Sequence, residues 1–201
     1  MRTKYLLPVV LIALPCVYLA FIWQQLPAIV PLHYNLKGEI DKWGSKESLV
    51  SLVAALTLVS VVVYLSISNV HRIKTKFNAA QNGAHLRKVA LGVCCFLAIV
   101  QFWLIHNIKT GGPLSSLKFI LICIALLFSF TGNYLYNIKP NYFAGFRLPW
   151  TLSNGDNWRQ THHFASRLWF AGGLLLAFIS LFLSFTGAVA VFFIALLVTA
   201  S

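Results

Sequence analysis

Acidic residues are scarce in this sequence: Asp and Glu together number 4 among 201 residues, against 16 Lys and Arg. Charge of either sign is scarce too, at 10% of the chain, while 59% is apolar. A soluble domain carries roughly 25% charged residues. A core of this size cannot hide so much apolar area from water, so lipid must be the solvent for much of the chain. Internal repeats and low-complexity tracts are also missing. The reading is one membrane domain over residues 1–201, with no room for a separate soluble one.

Three further absences narrow the function. The net charge of +12 is not gathered into a stripe along one face; the cations sit in short loops between apolar runs. That placement fits membrane orientation and attraction to anionic lipid, so the bilayer is an expected partner and direct nucleic-acid binding is not. The cysteines Cys16, Cys94, Cys95 and Cys123 all lie within apolar runs without CxxC spacing, which argues against a disulfide framework or a zinc site. Neither a metal nor a cofactor is expected. Finally, no Asp, Glu, Lys or Arg falls in the middle of any apolar run. Ion-coupled transporters, proton pumps and many intramembrane hydrolases need such residues at membrane depth. Thr57, Ser60, Tyr64 and Gln101 are the milder polar groups there, suited to helix–helix hydrogen bonds.

What is present is a series of runs long enough to cross a bilayer, which takes about 20 apolar residues. They fall near Tyr5–Trp23, Leu49–Ser68, Val89–Ile105 and Leu117–Tyr136. The first is read as a retained span rather than a signal peptide, with Pro8 and Pro15 bending it. After Arg167 come 34 uncharged residues. As one helix these would extend about 51 Å, far beyond a hydrocarbon core of about 30 Å. A split at Ser184-Phe185-Thr186-Gly187 into two short spans is therefore expected. The fold class is all-α: a polytopic membrane helix bundle of about six transmembrane helices.

Orientation follows from the cations. Arg2, Lys4, Arg72, Lys74, Lys76, Arg87, Lys88, Lys139, Arg147, Arg159 and Arg167 fall on one side of the bundle. Lys37, Lys42, Lys46, Lys109 and Lys118 fall on the other, partly offset by Glu39, Asp41 and Glu47. The richer side is cytoplasmic, which puts both termini inside. Residues 1–68 then form an N-terminal hairpin module with an outward loop over 25–48. Residues 89–201 form a second region with a cytoplasmic loop over 137–166.

Both loops have chemistry. In the outward loop, Pro31, His33, Asn35, Gly38, Asp41, Trp43 and Lys46 are the candidate functional residues. Prolines stiffen its start, Asn35, Gly38 and Gly44 suit tight turns, and Ser45 is placed to cap the second span. His33 and Asp41 are expected to hydrogen-bond within the loop, with Trp43 at the lipid interface. In the cytoplasmic loop the candidates are Asn133, Asn141, Gly145, Arg147, Pro149, Trp150, Thr151, Trp158, Thr161 and His162. Pro140 should stop the fourth helix near Ile138. The stretch from there to Pro149 is expected to be extended, with Gly145 allowing close backbone approach. Arg147, between Phe146 and Trp150, is placed for a guanidinium on an aromatic face. Ser153 with Asp156 reads as a capping-box-like start for the next helix. Along it Trp158, Thr161, His162, Ala165 and Trp169 share one face. An aromatic interfacial belt and a recognition surface both fit this loop.

The run Gly132-Asn133-Tyr134-Leu135, Lys139-Pro140-Asn141-Tyr142-Phe143, Gly145 through Ser153 and Trp158-Arg159-Gln160-Thr161-His162 resembles the signature of the SdpI family of bacterial membrane proteins. Pro31-Leu32-His33-Tyr34-Asn35 with Gly38, Asp41, Trp43, Gly44 and Lys46 resembles the small N-terminal module of unknown function often found in that family. The chain departs from the pattern at His163-Phe164-Ala165-Ser166 and carries no basic tail up to Ser201. The resemblance implies a non-enzymatic immunity protein and signalling receptor in the bacterial cell membrane. Such a protein meets a secreted peptide toxin outside and holds a DNA-binding repressor inside. Two readings of other classes stand beside it. One is a small-solute transporter. The other is an interfacial enzyme using His162, Arg147 and Asp156 for acid–base work.

Overall fold

A computed structural model describes residues 3–35, 39–70, 82–111 and 117–200. Gly38, Lys37, Arg72, Lys74 and Lys76 lie outside the described residues. Helix α1 (Thr3–Ile22) leads through a 3-10 turn (Trp23–Gln25) into strands β1 (Ile29–Tyr34) and β2 (Ile40–Ser45). Then follow α2 (Lys46–Asn69), α3 (Gly83–Thr110) and α4 (Leu117–Leu135). A short α5 (Pro149–Ser153), the long α6 (Gly155–Phe182) and α7 (Phe185–Ala200) complete the chain.

The expectation of a polytopic membrane bundle is met. Five of these helices, among the described residues, are long and apolar enough to cross a membrane. The sixth apolar helix, α7, has 16 residues, about 24 Å at 1.5 Å per residue. The uncharged run does break, slightly earlier than expected: α6 ends at Phe182 and α7 starts at Phe185. Ser184 makes the break, accepting the Gly187 amide at 3.2 Å on its hydroxyl and the Ala188 amide at 2.9 Å on its carbonyl. Lys118 then donates to the Leu183 carbonyl at 2.9 Å, a cation where the end of α6 leaves carbonyls unpaired.

Of the mild polar residues expected to join helices, Thr57 and Gln101 do so, whereas the Ser60 hydroxyl donates to the Leu56 carbonyl of its own helix at 2.9 Å. Cys16 Sγ lies 3.3 Å from Thr57 Oγ1, and Thr57 donates to Gln101 Oε1 at 3.2 Å. This ties α1, α2 and α3 together. Helices α4 and α6 approach closest, because Gly132 and Gly173 leave no room for a side chain. A Cβ on Gly173 would lie 2.6 Å from the Ala125 carbonyl, and one on Gly132 2.7 Å from the Phe170 amide. Small residues of this kind let membrane helices approach backbone to backbone.

The two ends of the bundle differ. At one end α1 finishes, α2 starts and α3 finishes. Leu19, Ile22, Leu26, Val30, Leu49, Val53, Ile105 and Ile108 form a buried cluster there. At the other end α2 finishes, α3 starts, α4 finishes and α6 starts, and Val70, Leu86, Ile138 and Trp158 cluster. Helix α2, with 24 residues, holds the two ends about 36 Å apart. The second end is the one that the lysine and arginine count leads us to expect in the cytoplasm.

Candidate functional site

The outward loop is a β-hairpin, which the loop reading did not foresee. β1 and β2 pair antiparallel, Ile29 opposite Ser45 and Pro31 opposite Trp43, with irregular register around His33. Asn35 and Glu39 are bonded to each other: the Asn35 amide donates to the Glu39 carbonyl at 2.8 Å and the Asn35 side-chain oxygen accepts the Glu39 amide at 2.9 Å. His33 Nδ1 and Asp41 Oδ1 are 2.6 Å apart, so the predicted pair forms. Val30 seats the hairpin on the helix ends. The base is pinned where the Lys46 amide donates to the Ala28 carbonyl at 3.1 Å and the Lys46 ammonium lies 4.6 Å from the Trp23 ring centroid. Ser45 takes the N-cap position of α2 but makes no side-chain cap bond; its backbone is engaged in the hairpin instead. Trp43 is exposed.

The cytoplasmic loop is not the extended segment expected between Pro140 and Pro149. It is a chain of bends stitched by buried polar side chains, which we call the latch. Asn141 starts it, accepting the Phe143 and Ala144 amides at 2.8 and 2.7 Å on Oδ1 and donating to the Lys139 carbonyl at 2.8 Å. This is an Asx-type turn, the local structure Asn favours after Pro140. Asn82, just before α3, accepts the Lys139 amide at 2.8 Å and donates back to its carbonyl at 3.0 Å. The indole of Trp158 donates to the Ile138 carbonyl at 2.8 Å. So the end of α4, the start of α3 and the first turn of α6 are locked together through backbone atoms.

His162 is the centre of the latch. It is 1% exposed. Nδ1 lies 2.8 Å from the Trp158 carbonyl, and Nε2 accepts the Phe146 amide at 3.0 Å. A carbonyl can only accept and an amide N–H can only donate, so the ring is the neutral tautomer with its proton on Nδ1. Its ring stacks on Trp158 at 4.0 Å between centroids. Gly145 makes this approach possible. Its φ is +102°, and any Cβ there would collide with the His162 ring. The expected close approach at Gly145 is therefore toward a side chain of the protein itself.

Thr151 closes the far side. Its hydroxyl donates toward the Phe146 carbonyl at 2.7 Å and accepts the Leu148 amide at 3.0 Å. Pro149 excludes helix before it and then opens α5 at the first helical position, where a missing N–H costs nothing. The cap of α6 is Asn154, not Ser153: the Asn154 side chain accepts the Asp156 and Asn157 amides, whereas Ser153 ends α5. Among the described residues, Arg147 lies on no aromatic face. It donates to the Tyr142 carbonyl at 2.9 Å.

The predicted site residues therefore separate. Asn141, Gly145, Thr151, Trp158 and His162 are brought together, pointing inward. Arg147, Pro149 and Trp150 form an exposed lip, with Trp150 57% exposed. Asn133 is exposed near the end of α4 and Thr161 is half-buried beside His162; neither joins the hydrogen-bonded group described. Asn82 was missed altogether. It stands alone in the sequence between a basic loop and a helix, so only its buried partner, 57 residues away, reveals it.

Residues 137–201 match the model of the SdpI/YfhL protein family. The C-terminal third of the chain is therefore similar to the SdpI/YfhL proteins. Residues 10–58 match a domain of unknown function (DUF1648), spanning the hairpin and the helices that hold it. The immunity protein SdpI of Bacillus subtilis (strain 168) is 22% identical over 180 residues, covering 89% of this chain and 82% of that protein. No solved structure matches. With its long apolar helices and this similarity, the chain is a multi-pass bacterial membrane protein. Nearly the whole latch falls inside the SdpI/YfhL region; Asn82 and Asn133 fall outside it.

Proposed function

We propose that this chain is a membrane immunity or receptor-type protein that confers resistance to a secreted antimicrobial peptide. The observation that carries this is the alignment with the immunity protein SdpI. It runs through 180 residues and therefore takes in both the hairpin and the latch rather than a shared apolar run. The spans support the reading by holding mild polar groups used for helix contacts. Two ordered ends on a bundle of that kind suit recognition. The toxin meets the hairpin or the helices beside it. A DNA-binding repressor is held at the exposed lip of Arg147, Pro149 and Trp150. Weighing against the enzyme reading, both ring nitrogens of His162 are engaged with backbone and Asp156 pairs with Arg159 at 3.1 Å.

Expression in a sensitive host tests the proposal. Cells carrying the chain should survive a membrane-active peptide toxin that kills the parent strain. Killing that is unchanged across a panel of secreted peptides would overturn immunity. Repressor capture is tested separately, by asking whether Trp150→Ala releases a membrane-held regulator while protection persists.

A further inference from the structure

A cavity of about 670 Å³ opens at the cytoplasmic end, outside the latch hydrogen bonds. His85 of α3, Lys139 of the latch and Arg159 and His163 of α6 line it, with Tyr136 and Trp158 as aromatic wall. The other cavities described are walled mainly by apolar side chains, with Lys88 the one fixed cation among them. This one collects two fixed cations and three imidazoles, the neutral His162 ring among them, from three separate elements. Its size is that of small-ligand sites, about 300–1,000 Å³.

We propose that this cavity binds a phosphate group, carried by a phospholipid headgroup or by a free phosphorylated solute. Bringing like charges to one hollow costs free energy unless an anion or water compensates them. The one carboxylate nearby, Asp156, holds Arg159 in an i,i+3 pair whose side chains are 74% and 64% exposed. Such exposed pairs contribute little and exchange readily, so Arg159 can turn to a better anion. Lys139 is pre-positioned. Both its amide and its carbonyl are fixed by Asn82, so the ammonium projects from a rigid point on the rim. His163 is likewise oriented, stacked on Tyr136 at 3.9 Å and 5°. Donors from several elements, held by a rigid frame, form charge-assisted bonds to phosphate oxygens. The positive-inside arrangement places the cavity beside the headgroups of an anionic leaflet.

Calorimetric titration of the detergent-solubilised full chain tests this with three probes. They are inorganic phosphate, dihexanoyl phosphatidylglycerol, and dihexanoyl phosphatidylcholine, whose phosphate is offset by its own choline. Saturable binding of the glycerol lipid, weakened roughly tenfold or more in Lys139→Gln/Arg159→Gln, is expected from the loss of two charge-assisted contacts. Lys109→Gln, at the opposite end of α3, should leave it unchanged. Both substituted side chains are exposed, and the two single variants give the same readout should the double one fold poorly. Binding of phosphate alone with the same sensitivity assigns the site to free phosphorylated solutes as well; binding of the glycerol lipid only assigns it to the headgroup. No saturable binding of either anion, equal binding of the choline lipid, or equal affinity in the double variant would overturn the proposal.

Discussion

The hairpin and the latch are both dense in polar and aromatic residues, yet they use them in opposite directions. In the hairpin the ladder of backbone bonds sets the shape and the charged side chains face out: His33 and Asp41 are 65% and 43% exposed. In the latch there is no ladder. Asn82, Asn141, Thr151, Trp158 and His162 are all buried, and each binds a backbone atom. A loop without secondary structure must satisfy its buried N–H and C=O groups somehow, and here side chains do it. The hairpin's charged side chains therefore pair with one another at the surface, while the latch's polar groups are largely consumed by architecture. Its outward chemistry is left to Arg147, Trp150 and the cationic cavity.

That contrast predicts where substitution should hurt. The largest effect is expected at Gly145. Alanine there combines an unfavourable positive φ with collision against a ring held at both nitrogens, so Gly145→Ala should cost about 2–4 kcal/mol. It should show as a lowered melting temperature and poor membrane yield. The matching glycine in the hairpin is milder. A Cβ at Gly44 meets the end of the Leu32 side chain, which can turn away, so Gly44→Ala should cost about 1 kcal/mol. Between them falls Asn82→Ala. It strips the Lys139 amide of its partner, leaves the Lys139 carbonyl to Asn141 alone, and should cost about 1–3 kcal/mol. Equal melting temperatures for Gly145→Ala and Gly44→Ala would break the contrast.

The helices were legible because their signal is bulk: a run of apolar residues has few alternatives in lipid, and the break after Phe182 followed from length alone. The hairpin was not legible. Ile29–Tyr34 contains a proline and does not alternate cleanly, and its burial is set by Val30 meeting helix ends that are remote in sequence. In the latch, Asn141, Gly145 and His162 stood out as special residues, but their direction did not. Whether a histidine faces a ligand or a backbone amide depends on a partner 16 residues away, and no spacing rule encodes that. The cap of α6 was misplaced by one residue for a similar reason. Ser153 and Asn154 are both good caps, and only the intervening helix α5, opened by Pro149, decides between them.

The smallest expected effect on stability is the most informative about function. His33 and Asp41 touch at 2.6 Å, but both are largely in water, and exposed pairs contribute about 0.2–1 kcal/mol. Asp41→Asn and His33→Gln should each shift the melting temperature little, and the double variant should cost less than their sum, by the worth of the pair they share. If the hairpin is the part that meets a toxin, the same substitutions should reduce protection far more than they reduce stability. Melting curves and survival assays on the same variants separate the two. A fall in stability beyond about 2 kcal/mol would make the pair architectural, as in the latch, against the exposed-pair expectation. Intact stability with intact protection would instead move toxin recognition off the hairpin rim and onto the helices beneath it.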